Sequence, residues 1–223
     1  MDTMNQPAEK IHPVLNATDK TTKQKLFETA VDLFSRRGFH GVSIRDISSA
    51  VGIKESSFYN HYKSKDELIK AIFEFYKTEF TQIMPPEERL EVILSSMPPD
   101  EFLRQGNARF MQRMSAPLIE KIWRILFSEQ YRDARARDLV LQDMIQLPLA
   151  YAELVFTKMI EMGLIRRFDP KILAAEYQYS VSFIFTTFLM LDAENPDPNS
   201  IQKKLADHVS FFWNIIRKEK EKQ

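Results

Sequence analysis

The 223-residue sequence predicts an all-α protein in two parts, and three observations carry that expectation. Apolar residues recur at helical spacing along nearly the whole chain, with no run of strand-like alternation. Ser or Thr followed three residues later by an acid or amide (Thr21 and Gln24, Ser43 and Asp46, Ser64 and Glu67) marks three helix starts. Three of the five glycines, Gly38, Gly41 and Gly52, crowd together early in the chain, whereas proline punctuates the remainder. Tight turns imply a compact small domain over residues 21–68. A polar tail over 1–20 precedes it and a larger helical domain over 69–223 follows.

Helix by helix, the pattern holds. The first runs from Thr22 to Arg37, turns Leu26, Phe27, Ala30, Val31 and Phe34 inward, and stops at Gly38. The second opens at Ser43 and sets Ile44, Ile47 and Val51 on one face. Gly52 stands where the chain must turn sharply, a position that costs only glycine little. Ile53 and Phe58 give the next helix its apolar stripe, and small Ser48 lies where the two helices cross. A long helix from Ser64 to about Met84 carries Leu68, Ile69, Ile72, Phe73, Tyr76 and Phe80 inward, links the two domains as a lever, and is stopped by Pro85-Pro86. Further helices are expected over Glu87–Ser95, Asp100–Met114, Pro117–Ser128, Asp133–Gly163 with a bend near Pro148, Pro170–Leu191 and Pro198–Lys218. Asp169-Pro170 and Asp197-Pro198 each place an acidic cap before a first-turn proline.

Composition narrows the function. No cysteine is present, which removes disulfides, thiolate metal sites and a cysteine nucleophile. Histidines at 12, 40, 61 and 208 lack ligand spacing, so neither metal nor cofactor is expected. Net charge is zero, yet residues 20–65 hold nine Lys/Arg against four Asp/Glu, a local balance of +5. A basic small domain on a mildly acidic larger one suits contact with nucleic acid through one end. The amino terminus lacks an apolar signal core, and the apolar run from Ser180 to Leu191 falls far short of the ~20 residues that span a bilayer. The expectation is a cytoplasmic protein with no membrane partner. Glycine-rich phosphate loops, HExxH and GxSxG are absent from the sequence, so no catalytic residue is proposed and an enzyme is not expected.

Two short helices joined at Gly52 have the form of a helix-turn-helix, whose second helix enters the DNA major groove. Ile44, Ile47, Gly52, Tyr59, His61, Tyr62, Ser64, Lys65 and Leu68 together resemble the DNA-binding signature of TetR-family transcriptional regulators, and Ala30, Phe34, Gly38 and Gly41 resemble its first helix and following loop. The resemblance covers roughly residues 22–70. Ser48 and Val51 stand where that family usually has alanine, Lys54 where serine is common and Ser56 where glycine is common. Tyr59, Lys65 and the amide end of the helix starting at Ser64 are placed to bind phosphate. Arg45, Lys54, Ser56, Ser57, Asn60 and His61 lie where side chains reach bases or phosphates, arginine suiting guanine and asparagine adenine.

In the larger domain, Phe102, Phe110, Met111, Met114, Trp123, Phe127, Met144, Met159 and Met162 are the expected lining of an apolar effector cavity, with plain core as the competing reading. Arg104, Arg109 and Arg113 read as a solvated face. The last two helices carry more apolar surface than one subunit needs. The resemblance implies a two-fold seam there, from Tyr177, Val181, Ile184, Phe185, Phe188 and Leu189 against Leu205, His208, Val209, Phe212, Ile215 and Ile216, with an intramolecular pair of core helices as a competing reading that can share these residues. The sum is a homodimeric, ligand-responsive repressor binding a palindromic double-stranded operator and released by an apolar or amphipathic small molecule. The rival reading is a helical ligand-binding or protein-interaction module that does not bind DNA.

Overall fold

The structure, a computed structural model, describes residues 20–191 and 198–219. The expected tail over 1–20, save Lys20, the Asp197 cap and the chain end after Glu219 lie outside the described residues. The chain divides into two compact units between Glu74 and Phe75, inside one helix. Among the described residues there is no strand beyond one isolated bridge, Ile165 with Arg217.

The first unit holds α1 (Thr22–Arg37), α2 (Ile44–Val51), α3 (Glu55–Phe58) and the start of α4 (Lys65–Thr81). The α1 capping box forms as the sequence anticipates: Thr21 Oγ accepts from Gln24 N at 3.3 Å and Gln24 Oε1 accepts from Thr21 N at 2.8 Å. Leu26, Ala30, Val31 and Phe34 are fully buried against Ile47, Phe58 and Leu68 in one small core. Two details depart from expectation. α4 begins at Lys65, with Ser64 as its capping hydroxyl accepting from Glu67 N at 3.0 Å, and it ends at Thr81 rather than Met84. α3 is only four residues long, and Tyr59, Asn60 and His61 lie in the turn that follows it.

The second unit continues α4 and adds α5 (Glu87–Ser96), α6 (Pro99–Met114), α7 (Pro117–Glu129), α8 (Ala134–Leu139), α9 (Leu147–Glu161), α10 (Pro170–Leu191) and α11 (Pro198–Ile216). α10 packs between α9 and α11, and α11 packs on α6. Asp169 opens α10 as expected, accepting from Lys171 N at 2.9 Å. Where a bend near Pro148 was expected, residues Val140–Gln146 form a π-helical segment between α8 and α9. The cause lies in the proline: it has no N–H to give to the carbonyl one α-turn back. The ladder widens instead, and Leu147 N–H reaches the Gln142 carbonyl five residues earlier. The run Ala134–Glu161 is long and apolar enough, by length and composition, to cross a bilayer. Ala152, Val155, Phe156 and Met159 of that run are core residues of this unit.

Candidate nucleic-acid interface and effector cavity

The first unit positions its polar edge through a chain of local hydrogen bonds. Ser43 Oγ accepts from Asp46 N at 3.1 Å while Asp46 Oδ2 accepts from Ser43 N at 2.7 Å, closing the second capping box. These bonds from Ser43, helped by the Arg37 and Arg45 charges, hold the Asp46 carboxyl below its usual range. Gly52 ends α2 in the left-handed region (φ 79°), and Ile53 N–H returns to the Ser48 carbonyl at 3.0 Å. The turn delivers Lys54 to the N-cap of α3, and fully buried Phe58 anchors that helix to the core.

On this frame Arg45, Lys54, Ser56, Tyr59 and Asn60 are exposed, while Ser57 and His61 are half-buried. Tyr59 leans edge-on against Phe58 with ring centroids 5.6 Å apart and keeps half of its surface in solvent. Lys65, for which a phosphate contact is expected, also makes local bonds. Its ammonium donates to the carbonyls of Phe39 at 2.8 Å and Val42 at 2.7 Å and sits 4.2 Å from the Phe39 ring centre. It pins the loop between α1 and α2 to the start of α4.

The second unit contains an open cavity of about 980 Å³. Phe102, Phe110, Met114, Trp123, Phe127 and Met144 line it, as the sequence suggested. Met111 and Met159 do not; both are packed in the surrounding core, as methionine at helical spacing commonly is. Met162 is also absent from the wall. The π segment contributes Val140, Met144 and Ile145. Of the three arginines read as a solvated face, only Arg109 lines the cavity. Arg104 donates to Ser210 Oγ at 3.1 Å on α11, and Arg113 pairs with buried Glu79.

Sequence reasoning missed the polar part of the wall. Tyr76, Asn107, Tyr151 and Tyr177 line the cavity. Tyr177 Oη donates to Asn107 Oδ1 at 3.2 Å, whereas Tyr76 Oη, Tyr151 Oη and Asn107 Nδ2 are buried with no hydrogen-bond partner. Burial, with the Asp143 carboxylate adding to it, pushes the Tyr76 phenol far up; burial pushes Tyr151 up to about 12 against the opposing pull of Arg109. Tyr76 was legible as a member of the α4 apolar stripe, but nothing in its spacing distinguished a core tyrosine from one facing a cavity.

The residues expected to form a seam on the last two helices lie mostly inside the unit. Tyr177, Val181, Phe185, Leu189, Leu205, Val209, Phe212 and Ile216 are buried, and Ile184, Phe188 and His208 are half-buried. Tyr177, Val181 and Phe185 line the cavity. The apolar surface left exposed on α10 is Ile172, Tyr179, Phe183 and Met190, and on α11 it is Phe211 and Ile215. These α10 positions recur at intervals of seven, four and seven and so form one stripe along the helix. Tyr179, Phe183 and Met190 of this stripe also line the cavity.

Residues 26–72 match the model of the bacterial regulatory proteins of the tetR family. Over 83 residues the chain is 32% identical to the HTH-type transcriptional regulator YerO of Bacillus subtilis, covering 37% of this chain and 28% of YerO. Over 48 residues it is 42% identical to IcaR, the HTH-type negative transcriptional regulator of the biofilm operon icaADBC in Staphylococcus epidermidis, covering 22% of this chain and 26% of IcaR. The matches thus span little more than a quarter of those relatives. Among solved structures, a TetR-family regulator from Mesorhizobium loti aligns over 89% of this chain and 100% of its own with TM-score 0.62 and 17% identity. SmeT, the repressor of the Stenotrophomonas maltophilia efflux pump SmeDEF, aligns over 90% and 92% with TM-score 0.62 and 19% identity. At these identities the likeness is one of fold. With the helix-turn-helix, the signature residues and these matches in agreement, residues 26–72 carry a domain of the tetR family of bacterial regulatory proteins.

Proposed function

We propose that the protein is a transcriptional repressor that binds a palindromic DNA operator as a homodimer and is released by a small molecule entering the second unit. The observation that carries the reading is the Gly52 turn, which holds Arg45, Lys54, Tyr59 and Asn60 exposed beside a closed core. Cations and hydroxyls on a helix-turn-helix edge meet phosphate and base edges, and the +5 balance of residues 20–65 favours the encounter. IcaR and SmeT are named as a negative regulator and a repressor, which supports the direction of control. A neighbour from Saccharomonospora viridis was crystallised with choline, which supports a ligand-responsive second unit. The exposed stripes of α10 and α11 supply a second copy with an apolar face, and two such copies present two recognition elements to successive major-groove faces. Such a protein works in the cytoplasm, where its DNA is.

The test is a titration of labelled duplexes from the DNA flanking the gene against scrambled duplexes at fixed salt. Specific binding to one flank is expected. Asn60→Ala should cost about 1–3 kcal/mol on that duplex and far less on scrambled DNA, because an amide reads a base edge. Tyr59→Phe should weaken both alike, since a phosphate carries no sequence information. Equal affinity of the unaltered protein for flank and scramble would remove the repressor reading and favour a ligand-binding module.

A further inference from the structure

Resting on the reading of the second unit as the effector site, the chemistry of the cavity wall narrows what the effector is. The lining is dominated by aromatic and aliphatic side chains from α4, α6, α7, α9 and α10 and by the π segment. At about 980 Å³ it lies at the upper end of the roughly 300–1,000 Å³ common for small-molecule sites. Among the described lining residues the one charge is Arg109, and no carboxylate is present.

Buried polar groups without partners are rare, and each such group asks for an explanation. Three of them belong to residues that line this cavity: Tyr76 Oη, Tyr151 Oη and Asn107 Nδ2. Tyr76 is 1% exposed, so solvent does not satisfy it. The phenols remain protonated at neutral pH, because burial opposes their ionisation. The Asn107 amide is oriented by Tyr177, whose hydroxyl engages Oδ1 and leaves Nδ2 as the donor. Arg109 lies close enough to Tyr151 to act on its ionisation, which adds a positive charge near one of the three. Gln105, Gln130, Gln178, Ser180, Ser182 and Thr186 add neutral polar lining. The wall therefore pairs an extended apolar surface with unfilled donors; the Arg109 charge acts on Tyr151, and the Asp143 carboxylate, which does not line the cavity, acts on Tyr76.

We propose that the effector is an amphipathic organic acid, with an apolar body along the aromatic wall and a carboxylate head taken by Tyr151 and Asn107 near Arg109. Hydrogen bonds to an ionised acceptor are about twice as strong as neutral ones. An anionic head therefore gains more from these donors than an alcohol does. A quaternary ammonium head has no lone pair to offer and leaves these donors unfilled.

The probes are three molecules with one twelve-carbon chain: laurate, dodecanol and dodecyltrimethylammonium, each kept below micelle formation. Each displaces Nile red, an uncharged solvatochromic dye, from the full-length protein. Laurate should compete at concentrations about tenfold or more below dodecyltrimethylammonium, the scale of a charged hydrogen bond. Asn107→Asp, which replaces the donor by a carboxylate of the same shape, should abolish or reverse that order. Tyr151→Phe is the second variant, should Asn107→Asp not fold by circular dichroism; it should lower laurate affinity about tenfold and leave dye affinity unchanged. If the dye binds and all three heads compete equally, or the cation competes best, the organic-acid inference fails while the cavity remains an effector site. Laurate preference surviving both substitutions would also overturn it, by placing the head elsewhere. If even the dye fails to enter the folded protein, the effector reading fails and takes the inference with it.

Discussion

Single residues show how closely local chemistry is used in the first unit. Lys65 commits its ammonium to the Phe39 and Val42 carbonyls. Lys65→Met retains the apolar stem over the Phe39 ring and removes those bonds. Thermal or denaturant unfolding should then show a loss of about 1–3 kcal/mol. The salt dependence of DNA binding should stay as it was; a slope of log K against log salt reduced by roughly 0.9 would show a phosphate contact after all. Ser48 offers the opposite sign. It is 1% exposed in α2 and its hydroxyl has no hydrogen-bond partner. Ser48→Ala should raise stability by about 1 kcal/mol, read as a higher midpoint in urea with an unchanged slope. A lower midpoint would mean that the hydroxyl is satisfied by a water.

At the scale of elements, glycines that look alike in sequence differ in what they do. Gly52 adopts φ 79° with open space where a Cβ would stand. Gly41 has no such φ, yet a Cβ there would lie 2.3 Å from the Arg37 carbonyl oxygen. Gly52→Ala should thus cost about 1–2 kcal/mol from the left-handed backbone alone. Gly41→Ala should cost more, because backbone must move. Equal unfolding midpoints for the two variants would contradict this ranking. The same contrast shows what was legible beforehand. Capping boxes at Thr21 and Ser43, the α1 bounds and the Gly52 turn were readable, because each depends on residues within four positions of one another. The brevity of α3 and the π segment were not. The first depends on how Phe58 and Tyr62 seat in the core, the second on how the ladder relaxes around Pro148. α10 is apolar on two faces, so its periodicity named Tyr177, Val181 and Phe185 without saying that they face inward.

For the whole molecule, association is the property most open to test. If α10 and α11 join two copies, Phe183→Asp on the exposed stripe should give a folded monomer by light scattering, since an unpaired carboxylate in an apolar seam is costly. Phe185→Asp, on the buried side, should instead unfold the second unit. A Phe183→Asp protein that remains dimeric would move the seam elsewhere. One further consequence concerns time rather than affinity. In the first unit, Lys65 ties to a loop only 26 residues earlier. The second unit is tied across far longer spans: Tyr177 to Asn107 over 70 residues, and Arg104 to Ser210 over 106. Contacts close in sequence form sooner than distant ones, and domains near the amino terminus fold first during synthesis. On the ribosome, the first unit should therefore be complete while α11 is still being made. Under the proposed function, a stalled or truncated chain would carry a finished first unit and an unfinished cavity, able to touch DNA before it can answer to a ligand.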